Sequence, residues 1–137
     1  MPCIFCSIAR KELPAQVVYE NEDMIAFLDI HPRAPGHCLV IPKHHYETLL
    51  EAPERSLCPL FQGVKAVTGA LHDVLRPDGF TIGINHGRAS GQEVPHLHIH
   101  IIPRFRDDGG LPIQGVVYNI PTDTLDVIAE KVRNKLS

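Results

Sequence analysis

The sequence predicts an α+β fold: a five-stranded, mainly antiparallel sheet with one long helix and a C-terminal helix. Three observations carry this expectation. Five short apolar runs are separated mostly by hairpin-type polar or Pro/Gly punctuation. A helical apolar periodicity runs from Pro53 to Leu75, between the third and fourth runs, and a second one closes the chain from Thr124 to Leu136. One helix inserted and one appended imply a sheet covered on one face.

In order, Cys3 to Ala9 reads as a short helical turn. Gln16–Glu20 and Met24–Ile30 read as two strands joined by the polar Asn21-Glu22-Asp23 hairpin. The prolines and glycine of residues 31–36 make a loop, and His37–Ile41 gives a third strand stopped by Pro42. In the long helix Leu57, Leu60, Phe61, Val64, Val67, Leu71, Val74 and Leu75 recur at helical spacing. Pro53 suits its first turn, and Pro59 marks an irregular start. Pro77-Asp78-Gly79 ends it. Phe80–Asn85 and Leu97–Ile102 are the fourth and fifth strands, separated by a polar loop over residues 86–94. In the last helix Leu125, Ile128, Ala129, Val132 and Leu136 share one face, with Asp123 as N-cap and Asp126 three residues on.

At 137 residues the chain is expected to form a single domain, 1–137, long enough to bury a core. A net charge of -3 offers no general polyanion-binding surface, so no nucleic-acid partner is expected, and a nucleotide would be held by local geometry. The first residues lack a basic segment followed by an apolar run, and no stretch is long and apolar enough for a membrane span. The expectation is a cytoplasmic protein without membrane attachment. Cys3, Cys6, Cys38 and Cys58 are then reduced thiols, with Cys38 and Cys58 plain core or surface residues.

The run His96-Leu97-His98-Ile99-His100-Ile101-Ile102 carries the chemistry. On a strand, alternate side chains face opposite ways, so Leu97, Ile99 and Ile101 enter the core and three imidazoles line the other surface. Imidazole is costly to desolvate and adds nothing to a core, so three in register point to function. A metal site built from the strand alone fails on distance. The Cα atoms of His96 and His100 are about 13 Å apart, at ~3.3 Å per residue, while each nitrogen must come within about 2.1 Å of an ion. Nucleophilic attack on phosphorus fits better, because neutral imidazole is available near pH 7 and a covalent intermediate divides the displacement into two easier steps. The middle histidine, His98, is the natural nucleophile.

The preceding loop offers Gly91, Gln92 and Glu93, where a glycine lets backbone N–H groups approach phosphate oxygens, and Asn85 ends the fourth strand. Cys3-x-x-Cys6 is a second constellation. Spacing alone leaves a Cys2His2 zinc site, with His44 or His45 and His96, and a pair of free thiols both open.

Together these residues resemble the histidine triad superfamily, whose motif is His-φ-His-φ-His-φ-φ with φ apolar; His96–Ile102 matches it throughout. Cys3–Cys6, Phe27–Ile30, Ala34–His37, Leu39–Lys43 and Gly91-Gln92 follow in similar order and spacing, so the likeness covers residues 3 to about 105. The resemblance implies a nucleotide hydrolase, a phosphoramidase or dinucleoside polyphosphate hydrolase, working as a homodimer on AMP or GMP derivatives. His98 would attack the α-phosphorus to give a nucleotidyl-histidine, and water would release the nucleoside monophosphate. His100 would hydrogen-bond the phosphoryl group, and Asp29 the ribose. Phe5, Ile8, Phe27 and Ile30 would form the base slot, and Asn85, Gly91, Gln92 and Glu93 would surround the phosphate and leaving group. By the same resemblance Cys3, Cys6, His45 and His96 would bind a structural zinc ion, and His37 would be a buried support near the site.

One departure concerns Glu93. Many nucleoside phosphoramidases of this type carry Ser or Thr after the Gly-Gln pair, whereas an ionised carboxylate accepts only and repels phosphate. Two other functions fit the same residues: a nucleotide-binding scaffold with incidental activity, and a nucleotidyltransferase. An intact His98 favours catalysis, and an intact His100 favours water as acceptor. His31, His72 and His86 receive no role.

Overall fold

The computed structural model describes residues 2–137. The expected α+β architecture is present: β1 (Val17–Glu20), β2 (Met24–Leu28), β3 (Cys38–Pro42), β4 (Gly79–Gly83) and β5 (Ile99–Arg104) form one antiparallel sheet in the order β1-β2-β3-β5-β4. Helix α1 (Ile4–Ala9) precedes the sheet, α2 (Glu54–Leu75) joins β3 to β4, and α3 (Leu125–Leu136) ends the chain.

Period-two alternation sorts the strands into two cores. Met24, Ala26, Cys38, Val40, Leu97, Ile99 and Ile101 face α2 and pack on Leu60, Val64 and Val67. Gly63 lets α2 press against β2, since a Cβ there would lie 2.4 Å from the Met24 methyl carbon. On the opposite face Ile25, Phe27, Leu39 and Ile41 are covered by Phe5 and Ile8 of α1. Covering on one face alone is therefore corrected. The six-residue α1 is long enough to place two apolar side chains over the second face, which a sequence pattern so short does not announce.

Several boundaries also shift. β3 runs through Pro42, which ends the strand opposite Met24 and whose carbonyl is put to use below. Pro53 is the N-cap of α2 rather than a first-turn residue, and the helix continues unbroken through Pro59. β4 ends at Gly83, so Asn85 lies beyond it. β5 begins only at Ile99; ahead of it, Leu97 N–H donates to the Tyr46 carbonyl at 2.7 Å. The N-cap of α3 is Thr124, while Asp123 instead accepts from Lys131. From Leu111 onward almost every residue is exposed, the apolar face of α3 included.

Candidate active site and metal centre

β5 and its approach segment carry the three histidines to the face beneath α1. They are not surface groups: His96 is 0% exposed and His98 6%. Phe5 closes over both, its ring centroid 5.9 Å from that of His96 and 5.2 Å from that of His98, edge to face. Burial makes each ring's hydrogen-bond partner decisive, because an imidazole with only acceptors around it must donate.

His98 Nδ1 lies 2.6 Å from the carbonyl oxygen of His96. A carbonyl only accepts, so Nδ1 carries the hydrogen, and a neutral ring then keeps its lone pair on Nε2. His96 is fixed the opposite way round. Its Nε2 is 2.9 Å from the Pro42 carbonyl and donates to it, so the Nδ1 lone pair turns toward the cysteines. Desolvation drives the His96 pKa down to about 4, ahead of the opposing effect of the Pro42 carbonyl.

A third chain of bonds orders His100. The Arg33 backbone N–H donates to His37 Nδ1 at 3.1 Å, which puts the His37 hydrogen on Nε2. That hydrogen points to His100 Nδ1 at 2.9 Å, leaving His100 with an N–H at Nε2. Burial lowers both pKa values, that of His100 to about 4, so both rings are neutral at pH 7. The 3.5 Å contact between Asp29 and His37 is accordingly polar rather than an ion pair, since burial outweighs the carboxylate. Asp29, His37 and His100 also have the donor types of a metal site, but their bonds are already accounted for by this relay. His98 and His100 thus stand 5.1 Å apart, centre to centre, one with a free lone pair and one with a free N–H.

Cys3, Cys6, His45 and His96 converge, with one donor atom each lying mutually within 4.8 Å. Sγ of Cys3 is 3.4 Å from His96 Nδ1, and Sγ of Cys6 is 3.3 Å from His45 Nδ1 and 3.6 Å from His96 Nδ1. Zn–S of ~2.3 Å and Zn–N of ~2.05 Å give a tetrahedral S–N edge of about 3.6 Å. The donor set therefore fits a tetrahedral N/S-bound ion. His44 does not join it.

The other sequence candidates separate into those brought together and those kept apart. Phe5, Ile8 and Phe27 pack in one cluster, with Phe5 and Phe27 edge to face at 5.5 Å. Ile30 stands apart from them, 83% exposed in the following loop. Asp29 borders an open cavity of about 440 Å³, lined also by Leu28, Pro32, Arg33, Gly36 and His37. The Asn85 amide nitrogen lies 3.6 Å from where a Cβ on Gly91 would stand, and Gly91 has φ +105°, the left-handed region that glycine enters freely. Gln92 is buried and braces the loop: its amide donates to the Glu47 and Val94 carbonyls while its oxygen accepts from Gly87 N–H. Glu93 is exposed, and Val94 pins the loop onto the Phe5–Ile8 cluster.

The acceptors at Pro42 and His96 and the donor at Arg33 are backbone atoms, which no residue type betrays. His37 is different. It alternates with Leu39 and Ile41, and that alternation alone assigns it to the histidine face.

An α+β sheet presenting three alternating, individually oriented histidines defines a histidine triad protein. The HIT domain family matches residues 10–107, and the chain belongs to that family. It is 50% identical over 121 residues to an uncharacterized HIT-like protein of Methanocaldococcus jannaschii, spanning 88% of this chain and 93% of that one. It is 35% identical over 136 residues to the adenosine 5'-monophosphoramidase of Schizosaccharomyces pombe, spanning 99% of each. A crystal structure of a HIT family member from Bacillus subtilis superposes with a TM-score of 0.88 at 34% identity, covering 100% of this chain and 99% of the other. Among the described residues no helix is long and apolar enough to cross a membrane.

Proposed function

We propose that the protein hydrolyses nucleoside 5'-phosphate derivatives at the α-phosphorus through a nucleotidyl-histidine, releasing a nucleoside monophosphate. The 2.6 Å bond from His98 Nδ1 to the His96 carbonyl carries this reading, because it commits the buried ring to a single nucleophilic nitrogen. The phosphoramidase relative of Schizosaccharomyces pombe supports a purine nucleotide with an amine leaving group as substrate class.

In the first step the His98 Nε2–P bond forms as the bond from phosphorus to the leaving group breaks, and the leaving nitrogen takes up one proton from solvent to depart as the neutral amine. His100 donates its Nε2 hydrogen to a phosphoryl oxygen, which carries more charge in the transition state than in the substrate. Water then attacks phosphorus, the N–P bond breaks, and one proton is released with the nucleotide. His37 acts through His100: by filling its Nδ1 it keeps the donor on the substrate side. Asp29, at the rim of the cavity, accepts from the ribose hydroxyls, and the Phe5–Ile8–Phe27 cluster gives an apolar wall for the base. Asn85 and the backbone of residues 91–93 flank the leaving group, where the Glu93 carboxylate disfavours anionic leaving groups relative to amines.

Cys3, Cys6, His45 and His96 are the residues that would hold zinc, and bound there it supplies structural cross-linking rather than Lewis acidity, since all four positions are protein-filled. The uncovered apolar segment from Leu111 to Leu136 supports a homodimer, in which a second copy covers what this chain leaves bare.

The test is steady-state turnover of adenosine 5'-phosphoramidate by the intact protein and by His98→Ala. AMP release by the former and none by the latter, with AMP binding retained, is expected. Equal turnover by the variant would remove His98 as nucleophile.

A further inference from the structure

We propose that Cys3 and Cys6 are a site of reversible oxidation, and that forming a disulfide there loosens the nucleotide-binding face. This rests on the zinc and nucleotide readings above and extends them. Cys3 is the N-cap of α1 and Cys6 lies in its first turn, where the Cys6 N–H already points at the Cys3 sulfur at 3.5 Å. Both thiols are partly exposed, within reach of a small oxidant, and their sulfurs lie within 4.8 Å of each other. A disulfide needs them at about 2.05 Å, a short movement for two residues in one helical turn.

What the two sulfurs hold makes the oxidation consequential. Through them α1 is tied to His45 in the loop after β3 and to His96 on the approach to β5. Between the two cysteines stands Phe5, packed edge to face on the nucleophilic His98 and on Phe27. His96 in turn supplies the carbonyl that orients His98. One turn of helix therefore couples the thiol pair to the base wall and to the ring at the centre of the reaction. Once the sulfurs bond to each other they no longer serve as thiolate ligands, the ties to His45 and His96 are lost, and α1 keeps the apolar packing of Phe5, Ile8 and Ala9.

The exchange balances with a low-molecular-weight disulfide as oxidant. The Cys6 thiolate attacks one sulfur and expels a thiolate. The Cys3 thiolate then attacks the mixed disulfide at Cys6 and expels the second, so two protein thiolates become one disulfide and the oxidant becomes two thiols. With both thiolates consumed, His45 and His96 alone would not hold zinc.

The experiment takes full-length protein carrying Cys58→Ser, which removes the one other exposed thiol, loaded with one equivalent of zinc and treated with glutathione disulfide. Peptides spanning Cys3 and Cys6 should become ~2 Da lighter, with zinc appearing on a chromogenic chelator in equal amount. Amide hydrogen exchange across residues 4–9 should accelerate. AMP affinity should fall about tenfold, the scale of one lost aromatic contact. Dithiothreitol plus zinc should reverse all four. Zinc release with unchanged α1 exchange would overturn the coupling, and persistence of both cysteines as thiols would overturn the site. A Cys3→Ser/Cys6→Ser variant should exchange fast across α1 with or without oxidant; exchange as slow as in the reduced, loaded protein would count against the proposal. Should reduced protein fail to bind AMP while α1 still responds to oxidation, the nucleotide reading fails and the oxidation site stands.

Discussion

The two faces of β5 and the tail that follows it spend apolar residues in opposite ways. In the sheet body Leu97, Ile99 and Ile101 are sealed against α2, and His96 and His98 are packed beneath Phe5. In the tail Tyr118 is 89% exposed and Leu136 82%, on a stretch no less apolar to read. The body buries its apolar residues within the chain, whereas the tail leaves them exposed, as the proposed homodimer requires. Among the described residues no fully buried side-chain polar atom lacks a hydrogen-bond partner; the free lone pair of His98 and the free N–H of His100 belong to the open side of the site.

The largest expected effect breaks the body at its centre. His98→Ala should lower turnover of adenosine 5'-phosphoramidate by roughly 10⁴-fold or more, as removal of a nucleophile does. His37→Phe should cost about 10²-fold in kcat with little change in KM, since His100 loses the bond that fixes its donor; an unchanged kcat would show that the relay is idle. Gly63→Val, which forces a branched side chain onto Met24, should destabilise the fold by about 1–3 kcal/mol in urea unfolding.

Acid sharpens the same contrast. The buried rings have folded pKa values depressed to about 4, against 6.5 in a free chain. The unfolded state therefore binds more protons between those values, and stability is lost as pH falls from about 6.5 toward about 4. The melting temperature of the chelator-treated protein should be flat above pH 7 and decline through that window, with a shallower decline in His100→Asn. The smallest effect belongs to the tail. Val132→Ser should change the unfolding free energy of the monomer by no more than ~0.5 kcal/mol, the range of ordinary surface substitutions. The same substitution should weaken self-association in sedimentation, and a large loss of monomer stability would mean that the tail packs within its own chain.

The sequence disclosed the sheet, α2 and the histidine face because each rests on a sustained period of two or 3.6 residues. It is less explicit about short or context-dependent features. Pro42 reads as the stop of the third strand and does end β3, but the use of its carbonyl by His96 is invisible in the residue type. Gln92 reads as a phosphate contact, yet all three of its side-chain bonds brace the loop it sits in. The four residues of the thiol–imidazole cluster, spread across 93 positions of chain, were assembled by family resemblance, not by local pattern. Tautomers lie beyond any sequence reading, because backbone carbonyls and amides choose them.

The most direct test is rapid quenching of the protein with excess adenosine 5'-phosphoramidate at neutral pH, followed by peptide mass spectrometry under conditions that preserve P–N bonds. An adenylyl group on the peptide containing residues 96–102, localised to His98 and absent from His98→Asn, is the expected result. Rapid AMP formation with no adduct at any time point, or an adduct confined to His96 or His100, would contradict the assignment of the nucleophile.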